Sequence, residues 1–236
     1  MKFESMINQV IQGDCLEIMR DIPDKSINCI ITDPPYGINF KSTRQTYQKH
    51  IENDKFEDWL KILPKMLIEF KRVLTDVGCC CCFCGGGKAP VTAIFTIEAI
   101  KHFHLIQTLV WRKFIGLGWR YRPAYENIVI LSKDKDNYSF YDTSKKCGNV
   151  IEGINQDIPT EGEHPTQKPI VLMGRLINIH TKENDLVLDA FCGTGSTLIA
   201  AHRLDRKFIG IEINQTYTDI ARERIKKETD QMKLAI

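Results

Sequence analysis

Residues 186–227 constrain the fold more than any other stretch. Leu186–Asp189 is a short apolar run, and it passes at once into Asp-Ala-Phe-Cys-Gly-Thr-Gly-Ser-Thr-Leu over residues 189–198. A strand that ends in a glycine turn and opens a helix is the start of a βαβ unit. Ser196–Arg203 has the composition of that helix. Residues 208–211 (Phe-Ile-Gly-Ile) form a second apolar run ending at Glu212, and 215–227 has helical spacing. Strand, turn, helix, strand, helix in this order demands a parallel pair with its crossover packed on one face.

The remainder reads the same way. Ile27–Thr32 is a buried strand stopped by Pro34-Pro35. Residues 57–74 carry Trp59, Leu60, Leu63, Met66, Leu67, Phe70, Val73 and Leu74 at helical spacing. Residues 79–84 are a strand, 89–101 a helix with Pro90 in its first turn, 105–111 and 127–131 two strands, and 168–179 a helix. The expected fold is α/β, Rossmann-like, with a mostly parallel sheet of about seven strands covered on both faces. Residues 132–163 are polar and without period. They are expected to be an inserted segment in an otherwise single domain spanning 1–236.

Two motifs carry chemistry. In the first, Gly193 and Gly195 allow a tight turn and close approach of the backbone to a ligand, and Glu212 can accept hydrogen bonds from two ribose hydroxyls. A nucleoside cofactor is implied. A nicotinamide cofactor competes on these residues alone, although its GxGxxG fingerprint would need glycine where Leu198 stands.

The second motif is Asp33-Pro34-Pro35-Tyr36, directly after a strand. Two prolines hold the chain extended, so a carboxylate and a phenol are presented at set positions. That suits an exocyclic amine on a nucleobase. Asp33 accepts one N–H and the Pro34 carbonyl the other. The nitrogen lone pair, otherwise delocalised into the ring, is freed toward an electrophilic methyl, and both acceptors stabilise the developing positive charge. Tyr36 offers a face on which a flipped base can stack.

Together these motifs resemble those of the DNA amino-methyltransferases, which pair a Phe-x-Gly-x-Gly cofactor segment (Phe191, Gly193, Gly195) with Asp-Pro-Pro-Tyr (33–36). The catalytic motif comes first here and the cofactor motif last, an order similar to the circularly permuted β class. The resemblance extends from Gly13 to about Arg224. It implies a fold of the S-adenosyl-L-methionine-dependent methyltransferase type and that cofactor. It also implies cofactor contacts from Asp14 and Cys15 and from the His164, Thr166 and Lys168 segment. Asp33, Asp189, Phe191, Cys192, Gly193, Thr194, Gly195 and Glu212 complete the implied set. Residues 122–126 resemble the element beside the target-base pocket, with Tyr125 where the family often has His. An Asp at the head of the catalytic motif favours adenine N6. Cytosine N4 and RNA are the nearest alternatives, and an oxidoreductase leaves residues 33–36 without a purpose.

Net charge is only +2, so DNA contact must come from local clusters. Lys41, Arg44 and Lys49 form one. Arg112, Lys113, Arg120 and Arg122 form another beside Trp111, Trp119 and Tyr121, a mix suited to phosphates and stacked bases. The expected partner is double-stranded DNA. Residues 132–163 are the expected target-recognition segment, and their shortness leaves room for a homodimer to share the work. A restriction endonuclease partner is compatible with the resemblance. Nine cysteines, five of them in the run 79–84, show no zinc spacing. They read as small hydrophobes of a reducing cytoplasm, and no metal role is expected. No stretch reaches the ~18 apolar residues of a membrane span.

Overall fold

A computed structural model describes residues 2–36, 56–85, 90–113, 121–122, 124–144, 146–154 and 167–234. The elements, in order, are β1 (Gln9–Gln12), α1 (Cys15–Ile18), β2 (Ile27–Thr32), α2 (Phe56–Val73), β3 (Leu74–Gly85), α3 (Val91–Ala99), β4 (His104–Arg112), β5 (Tyr125–Ser132), β6 (Val150–Ile151), α4 (Ile170–His180), β7 (Leu186–Asp189), α5 (Ser196–Arg203), β8 (Lys207–Glu212) and α6 (Gln215–Leu234).

The strands form one eight-stranded sheet in the order β1-β8-β7-β2-β3-β5-β4-β6. Neighbours from β1 through β3 are parallel. β5 is antiparallel to both β3 and β4, and β6 runs parallel to β4. The sheet has eight strands against the expected seven or so; β1, four residues long, and β6, two residues long within the segment expected to be an insertion, lie where the sequence pattern marks no strand. A two-residue edge strand has no period to detect.

Alternation along the strands explains the three layers. Ile30, Cys80, Cys82, Cys84, Leu188 and Ile209 point to the layer of α1, α2 and α3. Cys29, Ile31, Cys81, Phe83, Val187 and Phe208 point to the layer of α4, α5 and α6. The cysteine run is therefore the middle of a strand buried on both faces. A thiol is small enough to let helices pack closely there. Helix α2 buries Trp59, Leu63, Met66, Leu67, Phe70 and Val73, a 3–4 spacing that makes one stripe. Each fully buried side chain of this size contributes about 1.5–3 kcal/mol relative to exposure.

Two boundaries differ in ways that matter. Pro90 caps α3 from outside rather than entering its first turn. Helix α4 begins at Ile170, after Pro169, so Lys168 belongs to an extended lead-in and not to the helix. Residues 133–144 and 146–154 strap the sheet rather than leaving it. Ser139 N–H donates to Val77 O (2.7 Å) and Tyr141 N–H to Ile179 O (2.7 Å), near the amino end of β3 and the far end of α4. The strap then returns to the carboxyl end of β4 as β6. Among the described residues no helix is long and apolar enough to cross a membrane.

Candidate active site

The carboxyl ends of β1, β8, β7, β2 and β3 lie side by side, which is where open α/β sheets bind ligands. Both sequence motifs end there. After β7, the loop through Gly195 alternates. Cys192 and Thr194 are buried, while Phe191 and Gly193 are half-exposed. Gly193 (φ +50°) has nothing within 4 Å of where a Cβ would stand, so the loop borders open space. Gly195 (φ +85°) caps α5 in a left-handed conformation that favours glycine.

Glu212, at the end of β8, holds this loop. Its Oε2 accepts from Gly193 N–H (2.9 Å) and its Oε1 from Asn214 N–H (2.8 Å). Its carbonyl accepts from Gly13 N–H (3.0 Å), which brings Asp14 alongside. Asp14 caps α1, with Oδ1 accepting from Leu16 N–H (2.8 Å) and Glu17 N–H (3.3 Å). This short helix was absent from the sequence reading, although Asp followed by Glu three residues on is a capping signal. The Cys15 thiol is buried in the core, and burial pushes it up to about 12.

The two motifs touch directly. Thr32 Oγ1, one residue before Asp33, donates to Asp189 Oδ1 (2.9 Å) across 157 residues of sequence. Phe191 N–H donates to the same oxygen (3.1 Å). Burial pushes the Asp189 carboxyl up to about 6 against the hydrogen bonds from Thr197, Thr32 and Phe191.

Asp33 stands at the end of β2 with both carboxylate oxygens engaged. The Tyr36 hydroxyl donates to Oδ1, and the Lys168 ammonium donates to Oδ2. Burial, then the Asp33 and Glu126 carboxylates, push the Tyr36 phenol well above its ordinary range. Glu126, the second residue of β5, reaches the same cluster because β5 runs opposite to β3, which puts its beginning at the carboxyl end. Lys113, just past β4, is ion-paired with Glu126 Oε1, and Lys168 Nζ lies 3.3 Å from Glu126 Oε2. Burial opposes charge on Glu126, but Lys168 and Lys113 override it and hold the carboxyl below its ordinary value. Burial likewise opposes charge on Lys168, and its two carboxylates override that and raise it.

The chain matches the DNA methylase family model (N6_N4_Mtase) over residues 27–223. It belongs to this family of DNA amino-methyltransferases. It is 31% identical to the type II methyltransferase M.HinfI of Haemophilus influenzae, over 94% of this chain and 69% of that one. Its fold is similar to the M1.HpyAVI–SAM complex (TM-score 0.69, 25% identity, 92% of this chain and 98% of that one). It is also similar to the cytosine-N4-specific PvuII DNA methyltransferase (TM-score 0.75, 21% identity, 94% and 89%).

In this methyltransferase several expectations need correction. Lys113 is turned inward to Glu126, not outward to a phosphate, and Arg112 is paired with Glu152 (2.7 Å). Trp111 is fully buried, its indole N–H donating to Ile154 O (2.8 Å), so it is no platform for a base. Among the described residues of that stretch, Arg112, Tyr121 and Arg122 are exposed. Lys41, Arg44, Lys49, Trp119, Arg120, His164 and Thr166 lie outside the described residues.

Three residues of the site were not singled out as functional. Gln167 accepts from Thr194 Oγ1 (3.0 Å), and Arg224 of α6 donates to Thr194 O (2.6 Å) and Gln167 Oε1 (3.2 Å). They tie the glycine loop to the segment before α4. Glu126 is the third. Its signals in the sequence are its place at the end of the 122–126 segment, which resembles the element beside the target-base pocket, and its acidity ahead of an apolar strand.

Proposed function

We propose that this methyltransferase transfers a methyl group from S-adenosyl-L-methionine to N6 of adenine in double-stranded DNA. The observation that carries the reading is the juxtaposition at adjacent strand ends of Asp33 with the Asp189–Gly195 loop and Glu212, linked by the Thr32–Asp189 hydrogen bond. The residues fit the cofactor. Open space lies over Gly193, beside the Glu212 carboxylate, a group whose oxygens can accept from ribose hydroxyls. Asp14, Phe191 and Gly193 border that space, and Cys15, Cys192 and Thr194 support it from the core side. The bound cofactor supplies an electrophilic methyl group.

Asp33 and the Pro34 carbonyl accept the two N–H bonds of the target amine. They turn its lone pair outward and stabilise positive charge as it develops. Pro35 keeps this corner extended. The Tyr36 ring lies 3.6 Å from a Cβ position at Gly85, and the base stacks on the ring. Lys168 sits on Asp33, so its role is at the target amine rather than at the cofactor. Arg122, with Lys41, Arg44, Lys49 and Arg120, is assigned to phosphate contact. Target recognition is assigned to the 132–163 segment, of which residues 149–154 lie at the carboxyl end of β4. A second copy of the chain or a restriction endonuclease as partner rests on the family resemblance alone.

Cytosine N4 is the second reading, favoured by the likeness to the cytosine-N4-specific PvuII enzyme. Either amine fits the acceptors. Adenine is preferred on the Asp at the head of the motif. Unmethylated genomic DNA treated with enzyme and cofactor, digested and analysed by nucleoside mass spectrometry, separates them. N6-methyladenine is the expected product, and N4-methylcytosine as the main product overturns the base assignment. Asp33→Ala is expected to bind cofactor normally and to lose at least about a hundredfold in turnover, the scale of a lost preorganised acceptor. Near-normal turnover overturns the mechanism.

A further inference from the structure

Four charges alternate in a row beside the target-amine site: Lys113, Glu126, Lys168 and Asp33. Their formal charges cancel. Exposure of the side chains is 21%, 17%, 9% and 24% in that order, so Lys168 is the most enclosed and Asp33 the most open. The Lys168 ammonium occupies Asp33 Oδ2, an oxygen that an incoming amine would use. An enclosed ammonium that lost this partner with no replacement would be strongly disfavoured.

A replacement is in place. Glu126 Oε2 is buried and has no aligned hydrogen bond, although Lys168 Nζ stands 3.3 Å from it. A carboxylate oxygen with an unfilled acceptor position and a neighbouring ammonium off its axis is a second seat for that ammonium. The Phe83 ring, 5.2 Å from Nζ, gives the cation an apolar wall along which to move. Lys113 on Glu126 Oε1 keeps Glu126 charged and still.

We infer that Lys168 is a positioning residue shared between two carboxylates: it fills the amine's place on Asp33 in the free enzyme and withdraws onto Glu126 when a base amine enters. The inference rests on the reading of Asp33 as the amine acceptor. Its use is to keep the catalytic carboxylate paired and oriented between turnovers without a net cost to base entry. No bond forms or breaks, and one charge-assisted hydrogen bond is exchanged for another.

The test is a pair of variants. Glu126→Gln weakens the second seat and leaves Lys168 on Asp33. The expected result is a fall in kcat/KM on unmethylated genomic DNA on the order of tenfold, with affinity for S-adenosyl-L-methionine unchanged. Adding Lys168→Met removes the occupant, so the double variant should be more active than Glu126→Gln alone. A role in folding only would make the double variant equal or worse, and that result overturns the inference. If Glu126→Gln does not fold, the wild-type enzyme decides. In a crystal structure with a duplex carrying its mapped site and S-adenosylhomocysteine, Lys168 should bond Glu126 with the base amine on Asp33. Lys168 still on Asp33 beside a bound amine overturns it. Turnover by Asp33→Ala would instead sink the reading beneath, so the two failures are distinguishable.

Discussion

At the scale of single residues, Asp189 shows how a buried carboxylate is tolerated. Three donors serve it, from Thr32, Phe191 and Thr197, yet burial dominates and its carboxyl titrates near 6 instead of 3.8. The folded state then binds the proton more tightly than the unfolded chain. The contribution to stability is full below about pH 4 and is lost as pH rises through about 6. Asn at this position keeps one acceptor oxygen for Thr32 and Phe191 and cannot ionise. Asp189→Asn is therefore expected to gain on wild type as pH rises from 4 to 7, by up to about 3 kcal/mol for a shift of this size. Urea unfolding at pH 4, 5.5 and 7 measures it. A stability difference that does not change with pH would show that ionised Asp189 is better solvated than its burial implies. Lys168 belongs to the same scale. Its charge survives burial only because two carboxylates flank it.

At the scale of elements, the glycine loop is placed by its neighbours as much as by its own turn residues. Gly210 in β8 lies under it. A Cβ there would stand 2.3 Å from Leu198 Cδ1 and 3.0 Å from Cys192 Sγ, so both side chains must move. Leu198 is in α5 and Cys192 anchors the loop from inside, so the displacement passes to Gly193. Gly210→Ala is expected to destabilise by about 1–3 kcal/mol, the usual cost of overpacking, and to weaken cofactor binding about tenfold. Thermal unfolding and calorimetry measure the two together. A stability loss with unchanged affinity would mean that α5 absorbs the clash away from the loop. The reversed strand β5 matters equally. Were it parallel to β3, its first residues would lie at the other end of the sheet and Glu126 could not reach Lys168.

At the scale of the whole molecule, the family, the sheet order and the two motifs agree on a nucleoside-sized ligand at the carboxyl edge. A ligand that binds only the folded state raises stability by mass action. S-adenosyl-L-methionine at a hundred times its dissociation constant should add about 2.7 kcal/mol, seen as a rise in Tm that grows with concentration. NAD at equal concentration should leave Tm unchanged. A shift with NAD and none with S-adenosyl-L-methionine would overturn the cofactor assignment.

What the sequence determined alone was whatever depends on near neighbours. The 3–4 spacing of Trp59 to Val73 is a helix stripe wherever it is placed. The cysteines of 79–84 alternate because a strand alternates. Pro34-Pro35 and Gly193-x-Gly195 set their turns by their own backbone limits. Tertiary structure decided where charged side chains of similar composition ended up. Lys113 and Arg122 stand in one basic stretch, yet one is turned into the site and the other into solvent. Lys168 reaches Asp33 across 135 residues of sequence. Such pairings depend on which strand ends meet and which way β5 runs. Spacing along the chain carries no record of either, because a charged side chain is equally stable in water or opposite a buried partner until the fold supplies that partner.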